Sequence, residues 1–117
     1  MKKIYYLSTC DTCKRILNEL APLNEFEFQD IKSDPITTEQ LEDLKDKSGS
    51  YLSLFNKRAR LYRERNLNVD HLTEKDLKAL LLEHYTFLKR PVIQVGASLY
   101  VGNSKHTVAL AKEKIHS

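Results

Sequence analysis

Ile4-Tyr5-Tyr6-Leu7-Ser8-Thr9-Cys10-Asp11-Thr12-Cys13-Lys14-Arg15-Ile16-Leu17 sets two cysteines between a strand pattern and a helix pattern. It opens on a short apolar run, aromatic and β-branched, and residues 3–7 predict a buried strand. Apolar side chains then return at Ile16, Leu17 and Leu20 with helical spacing, and Pro22 ends that run because proline cannot continue a helix. Cys10 therefore falls at the N-terminal end of the predicted helix. Unpaired backbone N–H groups and the positive end of the helix dipole there favour a thiolate over a thiol. Such a position lowers a thiol pKa from about 8.5 into the range of roughly 3.5–7.5. Cys13 lies one helical turn further on, close enough to close a disulfide on Cys10, and Lys14 and Arg15 add cationic charge in the same turn.

Working outward, Phe26-Glu27-Phe28-Gln29 alternates apolar and polar residues and predicts a second, half-buried strand. Strand, helix and strand in so short a span make a βαβ unit, with parallel strands and a right-handed crossover. A helical insert over about 36–87 follows. Thr37 and Gln40 form a capping box ahead of Leu41 and Leu44, and Gly49 is a stop. The apolar stretch Tyr51-Leu52-Ser53-Leu54-Phe55 precedes a basic cluster of Lys57, Arg58, Arg60, Arg63 and Arg65. Thr73-Glu74-Lys75-Asp76 opens another helix, with Leu77, Leu80 and Leu81 on one face. Beyond Tyr85 the pattern becomes Val92–Val95, a Gly96-Ala97 turn and Ser98–Val101, a hairpin whose glycine tolerates positive φ. A last helix capped by Asn103 or Ser104 points Val108, Ala111 and Ile115 inward. The order βαβ, insert, ββα predicts one α/β domain over residues 1–117, a four-stranded mixed sheet with helices packed on it.

Composition narrows the chemistry. A formal charge of +3 is too small to imply direct nucleic-acid binding without a localised patch. No apolar run approaches the ~20 residues that span a bilayer, and the N-terminal apolar segment breaks too early for a signal peptide. The chain thus reads as cytoplasmic, where a pair of cysteines argues for metal, redox or catalytic work over a structural staple. Zinc needs about four ligands, and none of His71, His84, His106 and His116 pairs with another at ligand spacing, so no metal is expected. The plain alternative is two small residues buried at a helix start. The basic cluster is ordinarily a solvated helix face; its sharper reading is a guanidinium that holds an oxyanion beside the thiolate. His84 reads as a partner for a helix C-terminus, not a base. Pro91 on its own reads as a trans proline at a strand start.

Three segments, in order, resemble the arsenate reductase-like (ArsC/Spx) family: the strand with Cys10-Asp11-Thr12-Cys13-Lys14-Arg15, then Leu54-Phe55-Asn56-Lys57-Arg58, then Leu88-Lys89-Arg90-Pro91-Val92-Ile93. The resemblance implies a thioredoxin-like fold with the helical insert between its two halves. It implies Cys10 as nucleophile, Arg90 as oxyanion binder, Pro91 held cis beside the thiolate, and Arg58 as a second arginine. It further implies no bound cofactor, a small oxyanion or disulfide as substrate, and glutathione or another thiol as co-substrate, delivered directly or through glutaredoxin or thioredoxin. Glutaredoxin-coupled arsenate reductases generally carry a serine or similar residue where this chain has Cys13, and a third arginine where it has Val101-Gly102-Asn103. The C-x-x-C is instead similar to Spx, a redox-switched regulator that binds the C-terminal domain of the RNA polymerase α subunit.

Overall fold

The strand that starts the chain forms as its apolar run dictates. In the computed structural model, which describes residues 1–117, β1 spans Lys2–Tyr6 and buries Lys3, Ile4 and Tyr5. Helix α1, Asp11–Leu20, buries Cys13, Ile16 and Leu20, a stripe one helical face wide. The chain then turns through a cis Ala21–Pro22 bond. At the same end of α1 the ring Nε2 of His116 donates to the Leu20 carbonyl at 2.7 Å, filling one of the acceptors a helix C-terminus leaves open. Strand β2, Glu27–Asp30, runs parallel to β1, with Lys3 opposite Glu27 and Tyr6 opposite Asp30.

The second half of the sheet is the predicted hairpin. Strand β3, Val92–Val95, runs antiparallel to β1, and β4, Ser98–Val101, antiparallel to β3, in the order β2-β1-β3-β4. Gly96 turns the hairpin at φ 61, the left-handed region that costs other residues most. The final helix, which we number α5, spans Lys105–Ile115, with Ser104 accepting from the Thr107 N–H at 3.1 Å. The fold is thus α/β, a four-stranded mixed open sheet flanked by helices, in the thioredoxin-like arrangement.

The chain divides into two compact units. The first joins Met1–Asp34 to Arg90–Ser117 and holds the sheet with α1 and α5. Its core is Ile4, Ile16, Leu20, Ile93, Val95, Val108 and Ala111, with Tyr6, Leu17, Leu23, Phe26, Tyr100 and Ile115 packed around it. Each large aliphatic side chain so buried contributes about 1.5–3 kcal/mol. Strand β2 departs from what its alternation suggests. Phe28 is left 44% exposed, edge-on to Tyr6, while Gln29 is buried. The burial is tolerated because Gln29 Nε2 donates to the Asp34 carbonyl at 3.0 Å, so its amide is not orphaned.

The second unit, Pro35–Lys89, covers the predicted insert. It carries α2 (Thr38–Ser48), α3 (Arg60–Glu64) and α4 (Glu74–Glu83), with 3-10 turns at Leu52–Leu54, Val69–His71 and Tyr85–Phe87. Leu41, Leu44, Leu54, Phe55, Leu77, Leu81, Phe87 and Leu88 are all buried, with Phe55 and Phe87 stacked at 5.4 Å. Glu74 accepts from the N–H groups of Tyr51 at 2.7 Å and Leu52 at 3.1 Å, which ties α4 to the first 3-10 turn. The Thr37–Gln40 capping box closes in both directions, and Gly49 ends α2 at φ 101. Thr37→Ala removes the acceptor for the Gln40 N–H, so urea unfolding is expected to show a loss of about 1 kcal/mol. An unchanged midpoint would mean the exposed helix start contributes nothing.

Candidate active site at the N-terminus of helix α1

The loop from β1 to α1 is short and tied at both ends. The Cys10 N–H donates to the Leu7 carbonyl at 3.0 Å, and the Cys10 carbonyl accepts from the Lys14 N–H at 3.1 Å, the first bond of the helix. Cys10 is thereby the N-cap of α1, in extended conformation at φ −94 and ψ 114. Its side chain makes no capping bond, unlike the Thr37, Thr73 and Ser104 hydroxyls at the starts of α2, α4 and α5. The N–H groups of the first turn are left to interact with charge on its sulfur. Both cysteines are free thiols; Cys10 is half-buried and Cys13, carried inward by the α1 stripe, is fully buried.

These positions separate the two thiols electrostatically. Partial burial opposes ionisation of Cys10. The Cys13 backbone N–H and thiol, the Arg90 guanidinium and the Thr12 N–H outweigh it, so the Cys10 pKa lies below that of an ordinary thiol. Burial is also the leading influence on Cys13, and the neighbouring Cys10 charge adds to it. The Leu7 N–H and Arg90 pull the other way without prevailing, and the Cys13 pKa is pushed up to about 11. The two neighbouring thiols are thus driven apart, Cys10 downward and Cys13 upward.

Arg90 belongs to the same unit as the cysteines and precedes β3 through a cis Arg90–Pro91 bond. The Pro91 carbonyl accepts from the Gly102 N–H at 3.0 Å, which fixes this segment to the end of β4. Lys14 and Arg15 are exposed, and neither is among the leading groups that move the Cys10 pKa. Arg58 lies in the second unit, exposed, just ahead of α3, its N–H held by Asn56 Oδ1 at 3.0 Å. His84 caps helix ends: its N–H bonds the Leu80 carbonyl at 3.2 Å and its Nδ1 accepts from the Thr86 N–H at 3.0 Å. No group of three or more His, Cys, Asp or Glu side chains is placed to hold a metal. No helix is long and apolar enough to cross a membrane.

One contact at this site had no local signal. Asp30, at the end of β2, accepts from the Ser8 hydroxyl at 2.5 Å, the Ser8 N–H at 3.4 Å and the Lys32 N–H at 3.2 Å. Ser8 and Asp30 stand 22 positions apart. Only the register that sets Tyr6 against Asp30 brings them together.

The ArsC family model matches residues 5–110. Among solved structures, the chain is similar to a protein related to the ArsC family from Bacteroides fragilis, at 25% identity and TM-score 0.80, over 97% of this chain and 96% of that one. It resembles a candidate arsenate reductase from Yersinia pestis at 18% identity and TM-score 0.78, over 94% and 99% of the two chains. An arsenate reductase from Vibrio cholerae is 20% identical at TM-score 0.78, over 93% and 95%. The last two are likenesses of fold. No curated protein sequence matches the chain.

Proposed function

As the chain belongs to the ArsC family, we propose that it is a thiol oxidoreductase whose nucleophile is the Cys10 thiolate. The observation that carries the reading is the split between two neighbouring thiols, one lowered by a helix end and Arg90, the other raised to about 11. A nucleophile whose ionisation is favoured, beside a resolving thiol held protonated, is an arrangement that suits disulfide exchange. The Cys10 sulfur bonds to one sulfur of a mixed disulfide, and the other sulfur leaves as a thiolate. Cys13 then gives up its proton, bonds to Cys10 Sγ and expels the second thiolate, which leaves a Cys10–Cys13 disulfide. Two glutathione thiols, or the dithiol of a glutaredoxin or thioredoxin, restore both cysteines and are themselves oxidised.

Arsenate fits the same chemistry. Cys10 displaces an arsenate oxygen as water and forms an As–S bond. A second thiol, Cys13 or glutathione, then attacks Cys10 Sγ and breaks that bond. The electron pair stays on arsenic, which leaves as arsenite while the sulfurs are oxidised to a disulfide. Arg90 holds the anion, because a guanidinium offers two parallel donors to a tetrahedral oxyanion. Pro91, Arg58 and Lys14 are assigned to substrate binding on the family resemblance. The second reading is a redox-sensing regulator that binds the RNA polymerase α subunit. It is favoured by the paired thiols and by Val101-Gly102-Asn103 standing where reductases carry a third arginine.

The test is turnover of arsenate and of a glutathione mixed disulfide, with glutathione and glutaredoxin supplied. Reduction of either substrate supports the enzyme. Reduction of neither, with the polymerase α C-terminal domain retained by the oxidised protein alone, gives the regulator.

A further inference from the structure

We propose that Ser8 and Asp30 form a clamp that positions Cys10, the Asp30 carboxylate on β2 fixing the loop from which the Cys10 sulfur is aimed. This rests on the reading of Cys10 as the nucleophile and adds residues that take no part in the reaction themselves.

The loop's other restraints are local, the Leu7 side chain being buried at its start. Thr9 is exposed, and the turn is closed by the Cys10 N–H to Leu7 carbonyl bond at 3.0 Å. Ser8 is the loop residue with a side chain bonded across to another strand. It meets Asp30 with both hydroxyl and N–H, so position and orientation are set together. Asp30 is in turn held by the turn that follows it. Its carboxylate accepts from the Lys32 N–H at 3.2 Å, its carbonyl accepts from the Asp34 N–H at 2.8 Å, and the next residue, Ile31, donates to Tyr6 at 3.0 Å. The Ser8 hydroxyl leads the groups that keep the Asp30 carboxyl below the usual carboxylate range, so the clamp is charged at neutral pH. A charge-assisted bond of this kind is roughly twice as strong as a neutral one. The thiolate is stabilised by directional groups, the N–H donors of Cys13 and Thr12 and the Arg90 charge. A sulfur displaced from them loses that stabilisation within the first turn.

Electrostatics gives the test a sign. Asp30 is an anion at the end of β2, bonded to the loop that bears the thiolate. If it acted only through its charge, Asp30→Asn would lower the Cys10 midpoint or leave it alone. If it acts as a clamp, the midpoint rises. The experiment is the rate of Cys10 alkylation by iodoacetamide against pH, in the wild-type protein and in Ser8→Ala, Asp30→Asn and Ser8→Thr, each first shown to be folded by circular dichroism. Ser8→Ala and Asp30→Asn are expected to raise the midpoint by about half a pH unit, the size of a partial loss of the helix-end field. Ser8→Thr keeps the hydroxyl and is expected to return the wild-type midpoint. Ser8→Ala, the mildest change, keeps the test open should Asp30→Asn fold poorly. A midpoint unmoved or lowered in Ser8→Ala, with the wild type depressed, overturns the clamp and leaves the Cys10 reading standing. A wild-type midpoint at the ordinary thiol value overturns both.

Discussion

Cys10→Ser is expected to bring disulfide exchange and arsenate turnover down to background, a loss on the order of 10³-fold or more. A serine hydroxyl at the same helix end stays protonated at neutral pH, because the N–H groups and Arg90 that lower a thiol's pKa fall far short for an alcohol. Positioning and the cation survive the change, but no bond can form to the electrophile. The substitution is nearly isosteric at a half-buried position, so stability is expected to move by no more than about 0.5 kcal/mol. Alkylation gives a second readout. With Cys10 gone, the remaining thiol is Cys13, whose pKa of about 11 owes more to burial than to the Cys10 charge. The neutral-pH alkylation phase therefore disappears and only slow labelling at high pH is left. A serine variant that keeps its turnover would remove the central sulfur from the reaction.

The first forty residues are legible because local signals agree there: an apolar run, a helical stripe ended by a proline, and a second short strand at the distance a βαβ unit needs. Boundaries moved by a residue or so, as at Lys2–Tyr6 and Glu27–Asp30. Capping chemistry was equally readable. Thr37–Gln40, Ser104 and Gly49 all do what their residue types dictate, since a cap is decided within four residues. What was illegible is non-local. Alternation in Phe26-Glu27-Phe28-Gln29 says that β2 has two faces but not which is covered; the buried amide of Gln29 depends on a carbonyl at Asp34 that only the folded turn presents. The cis Ala21–Pro22 bond had no marker in the sequence. At the site, the helix-end position of Cys10 follows from the pattern, whereas the action of Arg90 on both thiols joins positions more than 75 residues apart and has no local signal; the family resemblance implies Arg90 only as an oxyanion binder. The nearer cations Lys14 and Arg15 look better placed in sequence, yet helix geometry turns them to solvent. A helical side chain points by its angle, not its number.

Cys13→Ser is expected to trap Cys10 as a mixed disulfide. In the resting protein Cys13 stays protonated, chiefly through burial and then through the neighbouring Cys10 charge. Once Cys10 is bonded to a substrate sulfur that charge is gone, and with it one influence that raises the Cys13 pKa. Resolution by Cys13 is therefore easier after the first step than before it. It is also intramolecular, across one helical turn, where well-oriented groups reach effective molarities many orders above cellular glutathione. Without Cys13 the adduct waits for an external thiol at millimolar concentration, and its decay is expected to slow by about 10²-fold or more. Serine keeps the backbone N–H, the largest of the groups that favour the Cys10 thiolate, so the first step continues and the adduct accumulates. Mass spectrometry after a single addition of oxidised glutathione reads this directly: wild type passes to the internal disulfide, and Cys13→Ser holds one glutathione on Cys10. Because resolution needs the Cys13 thiolate, the wild-type rate of that second step rises with pH to a midpoint below the resting value of about 11, while adduct decay in the variant follows the ionisation of glutathione instead. If the variant shows no adduct and turns over as fast as wild type, the resolving sulfur comes from outside this chain, and Cys13 is a buried neighbour that helps only to ionise Cys10.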